Sequence, residues 1–370
     1  MKIERIIKCL LLCFVSTFII FCTGCEGGLE KAADILNSTS LGQEKGVCGE
    51  NLEWTLTTDG MLSITGSGAM ENYERGDKEN KTAPWSTYSD QITSVSMSEG
   101  ITAIGTSAFA NCKNLINVTI PESVVTIGDD AFCYCRNLVN VTMPDSIQTI
   151  GYNAFYECDG LISITIPKNV TVICENAFYG CERLANVTMP DGIKIIEDQA
   201  FYGCVKLTSL AIPNTVTDIG KSAFYGCEKL TSVTIPDSVV TIGSNAFYNC
   251  DALVSISVGK GVTAIGDGVF YDCDALKSVI IPGNVKAIGK EMFHNCDYLA
   301  VVVLEEGVTS IGERAFYNCP SLSDVTIAAS VELIGIRAFY DCDSLREISG
   351  YAGTTAEEYA KGFGLKFNAI

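Results

Sequence analysis

Cysteine is the residue type in this chain with the most obvious chemical potential, and there are eighteen cysteines. Thiolates form disulfides and bind metals, so a count this high first suggests a disulfide scaffold or a set of metal sites. Their spacing argues otherwise, because eleven recur every 23 residues: Cys112, Cys135, Cys158, Cys181, Cys204, Cys227, Cys250, Cys273, Cys296, Cys319 and Cys342. A cysteine repeated once per structural unit behaves as a small buried apolar residue. We therefore predict a ladder of reduced thiols.

Disulfides and metal sites are the two alternatives to this ladder. Neighbouring coils of a repeat structure lie about 4.8 Å apart, so the Cα spacing alone would allow disulfides. Stacked side chains point the same way, however, which holds their Cβ atoms too far apart for a disulfide. Metal binding is disfavoured because the chain has a single histidine, His294. We predict no metal site and no cofactor.

Neither His294 nor the acidic residues form a catalytic constellation. His294 occupies a slot that holds tyrosine in eight other repeats, so we interpret it as an aromatic replacement. The acids cluster at turn positions such as Asp129-Asp130 and Glu197-Asp198, where solvated loops are expected. Weak calcium binding there is an alternative, but the sequence lacks the D-x-D-x-D-G loop of calcium sites. We predict that the protein is not an enzyme.

A repeat organises all these residues. The stretch IGKSAFYGCEKLTSVTIPDSV, residues 219–239, has ten near-copies, and its anchor is Ala223-Phe224. The equivalent phenylalanines follow one another at 23-residue intervals: Phe109, Phe132, Phe155, Phe178, Phe201, Phe224, Phe247, Phe270, Phe293, Phe316 and Phe339. A fixed period of this length is typical of a solenoid. We number the eleven units as coils one to eleven, which together fill residues 101–353.

Within each coil, the pattern L-x-x-V-x-I predicts a strand whose apolar residues face the core, as at Leu230, Val233 and Ile235. Pro236 ends this strand, because proline cannot donate a hydrogen bond to a sheet ladder. Gly243 then allows a tight turn before the next Ala-Phe. We expect the Ala-Phe-Tyr-x-Cys segment to form a helical turn on the convex side.

The flanking segments are predicted to cap the solenoid, which must cover its apolar ends. Residues 48–100 form the N-terminal cap, and within it residues 52–65 alternate as a hairpin around Asp59-Gly60. Residues 354–370 form the C-terminal cap, a helix that begins near Ala356.

The first 24 residues are predicted to be a targeting segment, with a basic start and an apolar run from Cys9 to Phe21. Thr23-Gly24-Cys25 resembles the lipobox of bacterial lipoproteins, although Cys22 departs from the usual aliphatic residue. The resemblance implies lipidation of Cys25 after cleavage. Ordinary secretion and an uncleaved anchor are the alternatives. Residues 25–47 are small and polar and would form a flexible tether.

The charge of the chain excludes two classes of partner. A formal net charge of −19 argues against nucleic acid, whose phosphates require stripes of lysine and arginine. It argues equally against electrostatic docking to an anionic membrane surface. Membrane contact is therefore expected only through the N-terminal lipid.

The repeat resembles that of a known family, the BspA-like leucine-rich-repeat proteins of bacterial surfaces. The matching residues are AFYGCEKLTSVTIPDSVVTIG (223–243) and its copies, CGENLEWTLTTDGMLSITGSGAM (48–70) with APW (83–85), and GYAGTTAEEYAKGFGLKF (350–367). The resemblance implies a right-handed α/β-type array with a parallel sheet on one face, a β-rich N-terminal cap and a helical C-terminal cap. Members of the family are implicated in adhesion to host proteins and cells.

The outward side of the predicted strands is the expected ligand surface. Alternation places serine, threonine and asparagine there in the first seven coils, with Ala211 as the exception. Coils eight and nine instead carry Ile280, Val301 and Val303, which we predict to form an apolar patch. Neutral drift towards residues with high strand propensity is the alternative.

These observations lead to three hypotheses of function. The leading one is a cell-surface, lipid-anchored protein that binds an unidentified extracellular or host protein. The second is a structural spacer without a specific ligand, and the third is a capture protein for peptides or glycans. The strand face lacks aromatic residues, which counts against glycans.

Overall fold

The computed structural model describes residues 44–74 and 81–370. Its contacts divide the chain into two units, Met1–Glu44 and Lys45–Ile370. The predicted targeting segment, the lipidation residue Cys25 and the tether as far as residue 43 lie outside the described residues. Apart from Glu44, the first residue of β1, the second unit contains all the elements discussed below.

Short strands are the main regular secondary structure of this unit. In chain order they are β1 Glu44–Gly49, β2 Leu52–Leu56, β3 Met61–Gly66, β4 Gly68–Ala69, β5 Ser94–Met97, β6 Ile101–Ile104, β7 Asn117–Thr119, β8 Thr126–Ile127, β9 Asn140–Thr142, β10 Thr149–Ile150, β11 Ser163–Thr165, β12 Val172–Ile173, β13 Asn186–Thr188, β14 Ile195–Ile196, β15 Asp218–Ile219, β16 Ser232–Thr234, β17 Thr241–Ile242, β18 Ser255–Ser257, β19 Ala264–Ile265, β20 Ser278–Ile281, β21 Ala287–Ile288, β22 Val301–Leu304, β23 Ser310–Ile311, β24 Asp324–Ile327, β25 Leu333–Ile334, β26 Glu347–Gly350 and β27 Lys366–Ala369. A 3-10 helix spans Ser86–Gln91, and one α-helix, α1, spans Thr355–Gly362.

The strands form two series of sheets, in which the strands of successive coils pair parallel, and each coil contributes to both. The longer strands pair in the orders β1-β2-β3-β5-β7-β9, β11-β13 and β16-β18-β20-β22-β24-β26-β27, whereas β6 and the two-residue strands pair in a second series. The pairing keeps the sequence period, so that Val118 lies opposite Val141 and Val233 opposite Ile256. In coil five the longer strand is reduced to a single bridge between Leu210 and Val233. The predicted parallel β-solenoid is confirmed.

The core is a continuous stack of anchor phenylalanines. Consecutive rings lie nearly parallel, for example Phe201 and Phe224 with centroids 5.5 Å apart and Phe224 and Phe247 5.2 Å apart. The rings from Phe109 to Phe316 are fully buried. The predicted inward residues of the strand, Leu230 and Val233 among them, are buried as well. The apolar pattern therefore identified the core correctly.

The segment around each phenylalanine is not helical, so the predicted helical turn is wrong. It consists of successive turns in which the residues two before and two after the phenylalanine have positive φ, as at Ser222 (52°) and Gly226 (70°). This alternation holds in all eleven coils. A left-handed residue at every such position prevents an α-helix from forming.

Hydrogen bonds join these turns into a ladder that runs along the solenoid. The N–H groups of Ser222, Phe224 and Gly226 donate to carbonyl oxygens of the next coil at 2.9, 2.8 and 2.8 Å. The same three bonds are present at all ten junctions between successive coils. We call the five residues from two before to two after each phenylalanine the turn ladder.

The glycine before the turn ladder allows close approach of two backbones. Gly243 does not have positive φ, but a Cβ atom there would lie 2.5 Å from the backbone nitrogen of Lys221 in the preceding coil. Cys174 and Glu197 occupy the equivalent position in coils four and five. Glycine is therefore favoured at this position because it has no side chain, and not because of its conformational freedom.

The N-terminal segment forms the predicted hairpin and also extends the solenoid. Strands β2 and β3 are antiparallel, with Trp54 opposite Ile64. Strand β5 then joins the parallel sheet, with Val95 opposite Val118. Trp85 stacks on Phe109 with centroids 5.8 Å apart and continues the aromatic stack. The solenoid thus begins before residue 101.

The C-terminal segment forms the predicted helix and one further strand. Thr354 is the N-cap residue of α1, but the Glu357 carboxylate accepts the nearby N–H of Gly353 at 2.7 Å. The additional strand, β27, pairs parallel with β26. Gly350 has no Cβ atom that would crowd Ala356 of the helix. Strand β26 can therefore lie close to the helix α1.

Candidate binding surface on the strand face

Alternation along the longer strands separates core residues from residues that face solvent. In β16, Val233 is buried, whereas its neighbours Ser232 and Thr234 are exposed. We call the exposed side chains of the longer strands the strand face. In the first coils this face is polar, and the amide of Asn140 donates to the side-chain oxygen of Asn117 at 2.8 Å.

The predicted apolar patch lies on this face, and the structure brings its three residues together. Ile280 of β20 lies opposite Val303 of β22, and Val301 is two residues from Val303 on the same side of the strand. Ile280 is 58% exposed and Val301 37% exposed, whereas Val303 is half-buried. The three residues are neighbours on the strand face, and we call them the aliphatic patch.

Polar side chains surround the aliphatic patch. Ser278 lies opposite Val301 on one side, and Asp324 lies opposite it on the other. Thr326 lies opposite Val303 on β24. An apolar centre with a polar rim is the usual anatomy of a protein-binding surface.

The strand pairing also extends further in this region. Glu305 takes the place of the proline that follows the strand in other coils, and its N–H donates to the carbonyl oxygen of Ile281 at 3.0 Å. A proline could not make this bond. The sequence change that accompanies the aliphatic patch therefore fixes its strands to one another more firmly.

His294 occupies the position that holds tyrosine in eight other coils, and its surroundings are aromatic rather than catalytic. Its ring stacks between Tyr271 and Tyr317, with centroid separations of 4.3 and 4.8 Å. Burial lowers the pKa of His294, although Glu291 and Asp272 oppose this effect. The neutral imidazole thus continues the row of stacked tyrosine rings.

The ladder cysteines are buried, and each from Cys135 onwards donates its thiol to the preceding coil. The acceptor is the carbonyl oxygen of the phenylalanine 26 residues earlier, as for Cys135 and Phe109 at 3.1 Å. Burial raises the pKa of the Cys112 thiol to about 12, and it also raises the pKa of the Cys227 thiol. The eleven ladder cysteines are free thiols.

The acidic pairs at the turns accept backbone hydrogen bonds. The carboxylates of Asp129 and Asp198 accept the N–H groups of Tyr152 and Lys221 at 2.9 and 2.7 Å. Within residues 44–74 and 81–370, no three metal-binding side chains are close enough to hold an ion. These acids connect successive coils.

A second row of exposed aliphatic residues was missed at the sequence level. Ile116 and Ile162 are 46% and 39% exposed, and Val139 lies half-buried between them. Their backbones are linked, since the N–H of Val139 donates to Ile116 and that of Ile162 to Val139. The sequence pattern that could have revealed this row is the β-branched residue directly after the leucine in coils one to three.

The structure has no candidate for a membrane-spanning helix among the residues that it describes.

Comparison with known proteins gives a consistent result. The model of the BspA type leucine rich repeat region, with six copies, matches residues 86–208, 194–319 and 263–357. A leucine-rich repeat protein from Eubacterium ventriosum has 28% identity and a TM-score of 0.50, over 83% of this chain and 84% of that one. A leucine rich cell surface protein from Faecalibacterium prausnitzii has 28% identity and a TM-score of 0.49, over 84% and 96% of the two chains. No curated protein matches the sequence.

Proposed function

The chain belongs to the BspA-type leucine-rich repeat family, and from this premise we propose that it binds a protein partner through its strand face. The protein is anchored at the bacterial cell surface by a lipid on Cys25 and has no catalytic activity. The partner is an extracellular or host protein, so the binding serves adhesion or host interaction.

The observation that supports this proposal is the aliphatic patch. Side chains on the rest of the strand face are mostly small and hydroxylated, and they remain hydrated at little cost. Ile280 and Val301 expose apolar area to water instead, next to each other and within a polar rim. Covering such a patch contributes roughly 25 cal/mol for each Å² of apolar surface removed from water. The centre of the contact is therefore expected at coils eight and nine.

A differential capture experiment tests the proposal. The immobilised protein is exposed to host extracellular material, and captured proteins are quantified by mass spectrometry. The triple variant I280T, V301S and V303T restores the polar face of the other coils. We expect it to lose the partner while keeping the melting temperature of the wild type.

A matched control distinguishes the patch from the rest of the face. The variant N140S, T142S and T165S changes exposed positions of coils two and three and should still capture the partner. Undiminished capture by the folded patch variant would refute the site. The absence of any protein enriched over a blank surface would favour the spacer function instead.

A further inference from the structure

The two ends of the turn ladder differ in their hydrogen bonding. Every coil donates three N–H groups to the coil that follows it, so the eleventh coil has no coil to receive its own. The donors concerned are the N–H groups of Arg337, Phe339 and Asp341. The last edge of the ladder therefore presents only donors, whereas the first edge presents carbonyl oxygens.

The C-terminal cap covers the middle one of these three donors. The Tyr359 side chain on α1 packs edge-on against the Phe339 ring, with centroids 5.7 Å apart. Among the described residues, the N–H groups of Arg337 and Asp341 on either side have no acceptor. Arg337 and Asp341 are both exposed, so these donors are open to solvent. We call this part of the molecule the open end.

The open end also forms a groove with a volume of about 720 Å³. Its lining residues include Arg337, Arg346, Ile336 and Phe363. Ile336 is 76% exposed and Phe363 66% exposed. Backbone donors, cationic side chains and exposed apolar surface thus meet in one place.

Among the described residues, the groove presents hydrogen-bond donors that have no partner. Within the described residues, neither Arg337 nor Arg346 has a carboxylate within ion-pair distance, and the guanidinium of Arg337 lies over the Tyr340 ring instead. The groove also contains Asp341 and Asp343. The Asp341 carboxylate lies beside the Tyr317 side chain. Two unpaired guanidinium groups are unusual in a chain of net charge −19.

The structure argues against a second copy of this chain as the occupant. At the first coil, the carbonyl oxygens of Thr106 and Ala108 already accept the N–H of Tyr73 and the indole N–H of Trp85, at 2.9 and 2.8 Å. If the open end of one copy stacked on the first coil of another, these two carbonyl oxygens would already have donors. Two open ends cannot pair through the ladder either, because both present donors.

We propose that the open end binds an acidic peptide segment of a partner protein. Its carboxylates and carbonyl oxygens accept hydrogen bonds from the N–H groups of Arg337 and Asp341 and from the two guanidinium groups. Its apolar side chains cover Ile336 and Phe363. The site lies at the end of the solenoid and is independent of the aliphatic patch.

Fluorescence anisotropy with a defined probe tests the site on the purified full chain. The probe is a short labelled peptide of alternating aspartate and leucine, blocked at both ends, and its counterpart has asparagine in place of aspartate. We expect saturable binding of the acidic probe and at least about tenfold weaker binding of the neutral one. Equal binding of the two peptides, or no saturable binding of either, would overturn the proposal.

Variants locate the binding on the molecule. R337Q, R346Q and I336D change exposed side chains. Each should weaken the binding of the acidic probe about tenfold or more while leaving the melting temperature unchanged. The double variant R183Q and K206Q removes two exposed charges in coils four and five and should bind as the wild type does. Unchanged binding by folded R337Q/R346Q would exclude the site.

Amide hydrogen exchange provides a readout of the backbone donors themselves. Residues 336–342 should exchange more slowly with the acidic probe bound, whereas the equivalent segment of coil six, 221–227, should not change. No added protection at the open end would contradict the proposed hydrogen bonds. Concentration-dependent dimers that I336D abolishes would instead identify a second copy as the occupant. Because the triple patch variant leaves this groove intact, the outcome is separate from that of the proposed function.

Discussion

The thiol of Cys250 donates a hydrogen bond to the carbonyl oxygen of Phe224, the anchor residue of the preceding coil, at 3.4 Å. The Phe224 N–H donates in the opposite direction, to Ala246 at 2.8 Å. Each anchor phenylalanine is therefore tied to the next coil through its N–H, its carbonyl oxygen and its stacked ring. The contacts that stabilise the solenoid are nearest-neighbour contacts, as expected for a repeat protein.

The first prediction concerns the phenylalanine stack. Phe224→Ala in a central coil should lower the free energy of unfolding by roughly 3–5 kcal/mol, because it leaves a cavity between two rings. Phe339→Ala, at the less buried end of the stack, should cost less. Urea denaturation followed by circular dichroism measures both. Equal losses for the two variants would contradict the stacking argument.

Deletions test the register of the coils. Removing residues 224–246 takes out one complete period, so the remaining coils can pair as before. Removing only 224–234 places core positions of one coil beside surface positions of the next. We expect a cooperative melt for the first deletion and none for the second. If both deletions melted alike, the register would not determine folding.

The ladder cysteines should resist alkylation in the folded protein. Burial raises the thiol pKa values, so very little thiolate exists near pH 8. In denaturant without reductant, iodoacetamide should modify all eleven, as read by intact mass. A shortfall by an even number of labels would reveal disulfides between coils.

His294 should give a small pH dependence to stability. Burial lowers its pKa in the folded state, so the unfolded chain takes up a proton first as the pH falls. The stability is complete above the unfolded pKa of about 6.5 and decreases as the pH falls towards the lower folded pKa. His294→Tyr installs the residue usual in this slot and should remove this component. Identical changes in melting temperature from pH 7.5 to 5 in both proteins would contradict it.

Lipidation at Cys25 follows from Thr23-Gly24-Cys25 at the end of the apolar run. Metabolic labelling with a lipid precursor should mark the wild-type protein, and Cys25→Ser should abolish the label. Cys22→Ser provides the matched control, because it leaves the acceptor in place. Equal labelling of wild type and Cys25→Ser would show that the anchor is elsewhere or absent.

The sequence by itself determined the period, the direction of each strand residue and the buried set. These follow from local rules, since a residue such as Val233 between Ser232 and Thr234 can face the core only if its neighbours face solvent. The same alternation identified Ile280, Val301 and Val303 as neighbours on one face, and the fixed frame supplied their register.

Only the tertiary structure decided how neighbouring coils are joined. The left-handed residues Ser222 and Gly226 form their hydrogen bonds with residues about one period away. No local sequence pattern shows which N–H group bonds to which carbonyl oxygen. The abundance of asparagine, aspartate and glycine at these two positions was the available signal. The open end at Arg337 and Asp341 was beyond sequence reasoning, because an unpaired donor is defined by the coil that is missing beside it.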